Sequence, residues 1–202
     1  MYNIPYYKAK DHQEVLDFMN ANPFVTICGV NKEGLPVATQ IPILLKIENA
    51  SIIISGHIMR KQDHTNAFEI NNKVLVIFSG PSAFVSAQWY SDKQQASTWN
   101  YQSVHAKGTL NFKDEKHLYQ LLEQLTLHFE KDANSLTQVK NLSPEYMEQN
   151  MKAIVSFEIM VEDLQHVFKL SQNRDEASKA NIHAELSNGN EACKHMAAAM
   201  KR

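Results

Sequence analysis

About seven β-type stretches, joined mostly by turns too short to hold a helical crossover, restrict this chain to an antiparallel sheet. Phe24 to Val30 reads as the first strand and Asn31-Lys32-Glu33-Gly34 as a turn. Leu35 to Ile47 reads as one long second strand, whose Pro36 and Pro42 point to a sheet edge or a bulge. Ser51 to Ser55, Lys73 to Ser79 and Ala83 to Ala87 follow, the last two separated by the turn dipeptide Gly80-Pro81. Ser103 to Phe112 alternates in polarity, as do Ala153, Val155, Phe157, Ile159 and Val161 with their neighbours.

Helices are few. Asp11 with Glu14 opens a short one that stops before Pro23, Thr65 to Ile70 forms a second, and Asp114 caps a third with Leu118, Leu121, Leu122, Leu125 and Phe129 on one face. Ser143-Pro144 starts another that ends near Met151, and two more run from about Asp175 to Leu186 and from Glu191 towards Met200. The pattern predicts a mainly β, α+β fold, an antiparallel barrel with helices packed outside it. Residues 1–170 are expected to form the barrel and 171–202 a C-terminal helical extension packed on it.

Charge narrows the function. With 20 Lys+Arg against 22 Asp+Glu the net charge is -2, so no global field draws nucleic acid or an anionic membrane, and any anion site has to be local. The two cysteines, Cys28 and Cys193, lie far apart in no CxxC spacing, which fits free thiols in a reducing compartment. No apolar run suggests a signal peptide or a membrane span, so a cytoplasmic protein is expected. GxSxG, Walker, GxGxxG and HExxH patterns are missing from the sequence, which leaves catalytic residues unidentified. There is no helix-turn-helix with a basic recognition face, so direct DNA binding is not expected.

The unusual chemistry gathers between Ser51 and Tyr101. His57, Arg60, Lys61 and His64 fall within eight positions, and both tryptophans, Trp89 and Trp99, lie in a later loop. A cationic segment followed by an aromatic loop suits an anionic ligand with a flat ring; a solvated turn followed by core aromatics accounts for the same pattern. Arg60 is able to grip a phosphate in two places, where Lys61 acts as a point charge. His57 and His64 stand seven apart, which matches no i, i+4 metal pair, and no metal site is expected. Thr98, Trp99 and Asn100 offer a hydroxyl, a flat face and a donor-acceptor amide, whereas Trp89 reads as a cover for the barrel core. Lys169, Ser171, Gln172 and Asn173 form a polar run between a strand and a helix, where free backbone N–H groups meet an anion or simply start a helix. His105 reads as a core or interface histidine, and Val104, Ala106 and Phe84 as candidates for a partner-facing surface.

Five segments carry a resemblance: MYNIPYY at 1–7, SGHIMR at 55–60, IFSGPSAFVSAQWY at 77–90, STWNY at 97–101 and FKLSQNR at 168–174. In this order they resemble the PaiB-like family of FMN-binding negative transcriptional regulators, within the FMN-binding split barrels similar to pyridoxamine phosphate oxidase. The resemblance implies an antiparallel split β-barrel, a homodimer with FMN near the subunit interface, and a role as transcriptional regulator or flavin-dependent sensor. It implies phosphate contacts at Arg60, Lys61, His57 and His64, and further cofactor contacts at Thr98, Trp99, Asn100, Lys169, Ser171 and Gln172. A flavin-dependent oxidoreductase, using a reduced nicotinamide or a small-molecule substrate, and a flavin-free interaction module are alternatives on the same fold. The chain departs from the family pattern at Lys61-Gln62-Asp63, where Ala-Asn-Pro is usual, and at Gln88 and Ser97, where proline is usual. Asp63 brings a negative charge beside the implied phosphate site.

Overall fold

One residue, Ile43, shows how the sheet closes. In the computed structural model, which describes residues 1–201, the strands are β1 (Phe24–Val30), β2 (Pro36–Pro42), β3 (Leu44–Glu48), β4 (Ser51–Met59), β5 (Lys73–Val85), β6 (Thr98–Phe112) and β7 (Ile154–Lys169). Arg202, the last residue of the expected extension, lies outside the described residues. The strand order is β2-β1-β5-β6-β7-β4-β3, so β2 and β3 are the two outermost strands, yet Ile43 alone separates them in the chain. Were the sheet flat, its six inter-strand gaps would put those edges about 29 Å apart. Pro42 and Leu44 are joined by two peptide steps, which reach about 7 Å. The sheet therefore curls until its edges meet, which is the split-barrel architecture.

The chain divides into two compact units, one of residues 1–22, 78–104 and 165–201, the other of residues 23–77 and 105–164. The second holds β1 to β4 whole, with parts of β5, β6 and β7. β1 pairs antiparallel with β2 from Phe24↔Pro42 to Val30↔Pro36, and with β5 from Thr26↔Ile77 to Cys28↔Leu75. β4 pairs antiparallel with β3 and with β7, the latter from Ile53↔Met160 to Met59↔Ile154. Ile27, Ile54, Val76, Phe157 and Ile159 are fully buried, and the alternation along β4 buries Ile52, Ile54, Gly56 and Ile58 while leaving Ser55 and His57 half-buried.

Among the described residues there are six α-helices: α1 (His12–Ala21), α2 (Asp63–Ile70), α3 (Glu115–Glu130), α4 (Pro144–Met151), α5 (Glu176–Ser187) and α6 (Glu191–Ala199). The expected caps are present. Asp11 accepts from the Glu14 N–H at 2.9 Å, Asp114 from His117 at 2.8 Å, and Ser143 from Tyr146 at 3.2 Å. Asp175 and Asn190 cap α5 and α6 in the same way.

Strand boundaries differ more from expectation. Leu35 to Ile47 is two strands, because Ile43 is buried and turns its N–H to the Pro23 carbonyl at 2.9 Å instead of continuing the ladder. The edge position read from Pro36 and Pro42 holds, since β2 is outermost. Gly80-Pro81 is not a turn: β5 runs through it. A Cβ at Gly80 would lie 2.5 Å from the Phe18 ring, so this glycine makes room for a core aromatic, and Pro81 lies four residues past Ile77, where the pairing with β1 stops. The segment expected to loop around Thr98, Trp99 and Asn100 is the start of β6. Val104 and Ala106, considered for a partner surface, are fully buried within the chain, whereas Phe84 is exposed.

Gly108 on β6 shows how tightly that strand meets β7. A Cβ built there would stand 2.2 Å from the Met160 carbonyl oxygen, a backbone atom that cannot rotate away. Gly108→Ala is therefore expected to lower stability by about 1–3 kcal/mol, read as a lower denaturant midpoint with unchanged slope. An unaltered midpoint would show that the two strands separate freely at this point.

Candidate functional site

Strand β4 delivers the first group of candidate residues. Its alternation sends Ile58 to the core and His57 the other way, into a cavity of about 320 Å³ also lined by His64, Gln62, Gln40 and Thr39. His57 Nδ1 is buried without a hydrogen-bond partner, and burial pushes the imidazole below its ordinary value of 6.5, so it is neutral at pH 7. Past Met59 the Arg60 N–H donates to the Ala153 carbonyl at 2.8 Å, and Lys61 takes the left-handed conformation at φ 60°. That reversal starts α2 two residues later, and the Thr65 hydroxyl fastens it to the Met59 carbonyl at 2.5 Å.

Asp63 accepts from the His64 N–H at 2.7 Å and lies 3.2 Å from His64 Nδ1. Its charge is thus engaged by α2 itself. Arg60 and Lys61 are exposed and have no ion-pair partner within 4 Å among the described residues. The turn holds two adjacent uncompensated cations beside a cavity with an unpartnered imidazole nitrogen.

The second group lies in the other compact unit, where the start of β6 meets the end of β7. Lys169 Nζ donates to Thr98 Oγ1, and the Ser171 hydroxyl donates to Asn100 Oδ1 at 3.0 Å; both pairs bridge 71 positions of sequence. Asn100 and Ser171 are buried and satisfy one another. Gln172 is turned back on its own chain, accepting from the Leu170 N–H at 2.7 Å and donating to the Phe168 carbonyl. It holds the turn that Ser171, at φ 63°, makes after β7. Trp99 is separated from Thr98 and Asn100 by the strand alternation: it points outward, is 55% exposed, and meets Phe84 edge-on at 6.1 Å between ring centroids.

Arg174 belongs to this group and was not among the residues singled out from the sequence. Its guanidinium lies 4.2 Å over the Tyr90 ring, and Lys169 Nζ lies 5.8 Å from the Tyr7 ring centroid. Burial and then the Arg174 charge push the Lys169 ammonium below its ordinary value, so these cations feel one another. A signal was present, since Arg174 closes the FKLSQNR segment and Tyr7 and Tyr90 close two other segments of the resemblance. The spatial pairing of these segments was not visible.

A third set has the composition of a nucleophile and its base. His117 on α3 places Nδ1 3.0 Å from Ser156 Oγ and Nε2 3.3 Å from Glu158, whose other oxygen takes Lys113 Nζ at 2.5 Å. Ser156 has no exposed surface, so the set fastens α3 to β7 and admits no substrate. Among the described residues no group of three or more His, Cys, Asp or Glu could hold a metal ion, and no helix is long and apolar enough to cross a membrane.

Comparison with known proteins places the chain. The family described as "Putative FMN-binding domain" matches residues 1–163. Protease synthase and sporulation protein PAI 2 of Bacillus subtilis is 35% identical over 202 residues, covering all of this chain and 97% of that protein. Among solved structures, the flavocytochrome Anf3 from Azotobacter vinelandii aligns with a TM-score of 0.58 at 15% identity, over 89% of this chain and 78% of that one. The FAD and heme binding protein from Mycobacterium smegmatis aligns with a TM-score of 0.52 at 14% identity, over 90% and 80%. The two structures show a shared fold. The chain belongs to the FMN-binding domain family, in its PaiB-like branch.

The depressed His57 predicts a pH dependence. Above 6.5, the ordinary imidazole value, His57 is neutral both folded and unfolded and stability is full. As pH falls below 6.5 the unfolded chain takes up a proton that the folded chain refuses, and stability declines until the folded group also protonates. Denaturant midpoints measured from about pH 7.5 down to about pH 5 are expected to fall less steeply in His57→Gln than in the parent protein. Parallel slopes would remove His57 from the account.

Proposed function

We propose that this member of the FMN-binding domain family holds flavin mononucleotide with its phosphate at the turn between β4 and α2. The observation that carries this is the pair Arg60 and Lys61, exposed and without carboxylate partners, next to the cavity lined by His57 and His64. A phosphate needs several donors converging on one place, and Arg60 is suited to a two-point contact. His57 and His64 would add donors from the cavity wall. The unusual Asp63 fits this arrangement, because its carboxylate is taken up by His64 and by the start of α2.

In the other unit the available groups are Lys169, Arg174 and the outward face of Trp99, which we read as contacts for an anionic or aromatic part of a ligand. Thr98, Asn100, Ser171 and Gln172 would then support from behind, since each already has a protein partner. When bound, the flavin supplies redox chemistry; the residues of this chain bind and orient it.

The finer reading is a homodimeric cytoplasmic regulator or sensor, whose ligand state is read by another molecule. It is supported by the resemblance, by the relative whose name refers to protease synthesis and sporulation, and by the exposed apolar pair of Phe84 and Trp99. A net charge of -2 argues against direct capture of DNA. Residues 171–202, which carry α5 and α6 beyond the family match, are read as an appended helical extension.

Arg60 gives the test. A hydrogen bond to a charged group contributes about 1.5–3 kcal/mol, so three such contacts could supply much of the roughly 8 kcal/mol of a micromolar site. Arg60→Ala is expected to weaken FMN binding by about 10- to 150-fold while leaving riboflavin, which lacks the phosphate, nearly unaffected, as read by titration of flavin fluorescence. Equal losses for both ligands, or no loss for either, would move the phosphate elsewhere.

A further inference from the structure

Helix α5 lies beyond the family match and presents Glu176, Lys179, Ala180 and His183, at i, i+3, i+4 and i+7, to one cavity of about 500 Å³. Drug-sized ligands occupy cavities of roughly 300–1,000 Å³. The floor is apolar: Phe168 and Leu170 come from the end of β7 and the turn after it, and Met200 from the end of α6. Gln172 keeps that floor closed by taking up the Leu170 N–H and the Phe168 carbonyl. Lys8 and Lys10, from the segment before α1, line the cavity as well.

The polar groups are sorted by sign. Glu176 is paired with Lys179 at 2.9 Å, and the Glu14 carboxylate turns to the start of its own helix, accepting from the Lys10 N–H at 2.6 Å. Lys8 Nζ donates only to a backbone carbonyl, that of His166 at 3.3 Å, and neither the Lys8 nor the Lys10 ammonium has an ion-pair partner within 4 Å among the described residues. His183 lines the cavity too, with its Nε2 buried beneath the surface and without a hydrogen-bond partner. An apolar lining and two ammonium groups without carboxylate partners match a ligand with a greasy body and one negative end.

We propose that this cavity is a second small-molecule site, separate from the turn after β4, and that it takes an amphipathic carboxylate. The body would lie on Phe168, Leu170 and Met200, with the carboxylate meeting Lys8 and Lys10. Such a site would let the C-terminal helices register a metabolite.

The probe is 4-phenylbutyrate, titrated into the full chain by isothermal calorimetry, with 4-phenylbutylamine as the same body carrying the opposite charge. Saturable binding of the acid is expected, with the amine at least about 10-fold weaker. Ala180 is exposed on α5 at the cavity wall, so Ala180→Phe should fill the space without disturbing the core, and abolish binding. Lys8→Gln combined with Lys10→Gln should weaken the acid by about 10-fold and leave the amine no weaker. The proposal is overturned if the acid shows no saturable binding, if amine and acid bind alike, or if Ala180→Phe, with an unfolding midpoint like the parent's, still binds the acid. If Ala180→Phe does not keep that midpoint, the paired lysine variant decides: an unchanged affinity for the acid overturns the proposal.

Discussion

Closure of the sheet through Ile43 is the constraint on which the other features depend. Because one residue joins the two outermost strands, β4 lies between β3, which pairs with its first half from Ser51 to Ser55, and β7, which pairs with it from Ile53 until that ladder ends at Met59↔Ile154. The chain then leaves the ladder abruptly, and Lys61 makes the reversal in the left-handed region. For a residue with a Cβ that conformation is uncommon and is kept only when the surroundings impose it. Here the Arg60 N–H bond to Ala153 and the Thr65 hydroxyl bond to Met59 impose it from both sides.

The second cluster has the same logic. β7 ends at Lys169, Ser171 reverses in the left-handed region, and Asp175 caps the helix that follows. Both groups of candidate residues thus sit where a long strand gives way to a helix through a non-glycine left-handed residue. The local partners differ. At Lys61 the side chains point to solvent and remain uncompensated, whereas around Ser171 the polar groups are buried and answered by Asn100, Leu170 and Phe168. A buried network satisfied in this way fixes shape, while exposed cations without partners remain available to an anion.

Much of this was legible in the sequence, for reasons specific to each element. The helices could be read because their starts are local chemistry: Asp11, Asp114, Ser143 and Asp175 each accept from an N–H three residues on. The strands were found but misbounded where tertiary packing overrides local signals. Gly80-Pro81 carries a turn signature, yet the Phe18 ring needs the space a side chain would fill. Ile43 carries no signature at all, and its role follows only from the strand order. Among the candidate site residues, His57, Arg60, Lys61 and His64 were legible as a group because they are close in sequence. The partnership of Thr98 with Lys169 and of Asn100 with Ser171 was not, because 71 positions separate each pair. Arg174 was overlooked for the same reason, its neighbour Tyr90 lying on a distant segment.

The central claim is that the chain carries a flavin. The most direct measurement is the visible absorbance spectrum of the purified protein, followed by heat release and mass identification of what comes off. The account predicts a yellow protein, or a colourless one that becomes yellow on adding FMN, with a flavin band that shifts on binding and FMN recovered at about one per chain. A protein that is colourless as purified and takes up no FMN when it is supplied in excess would contradict it.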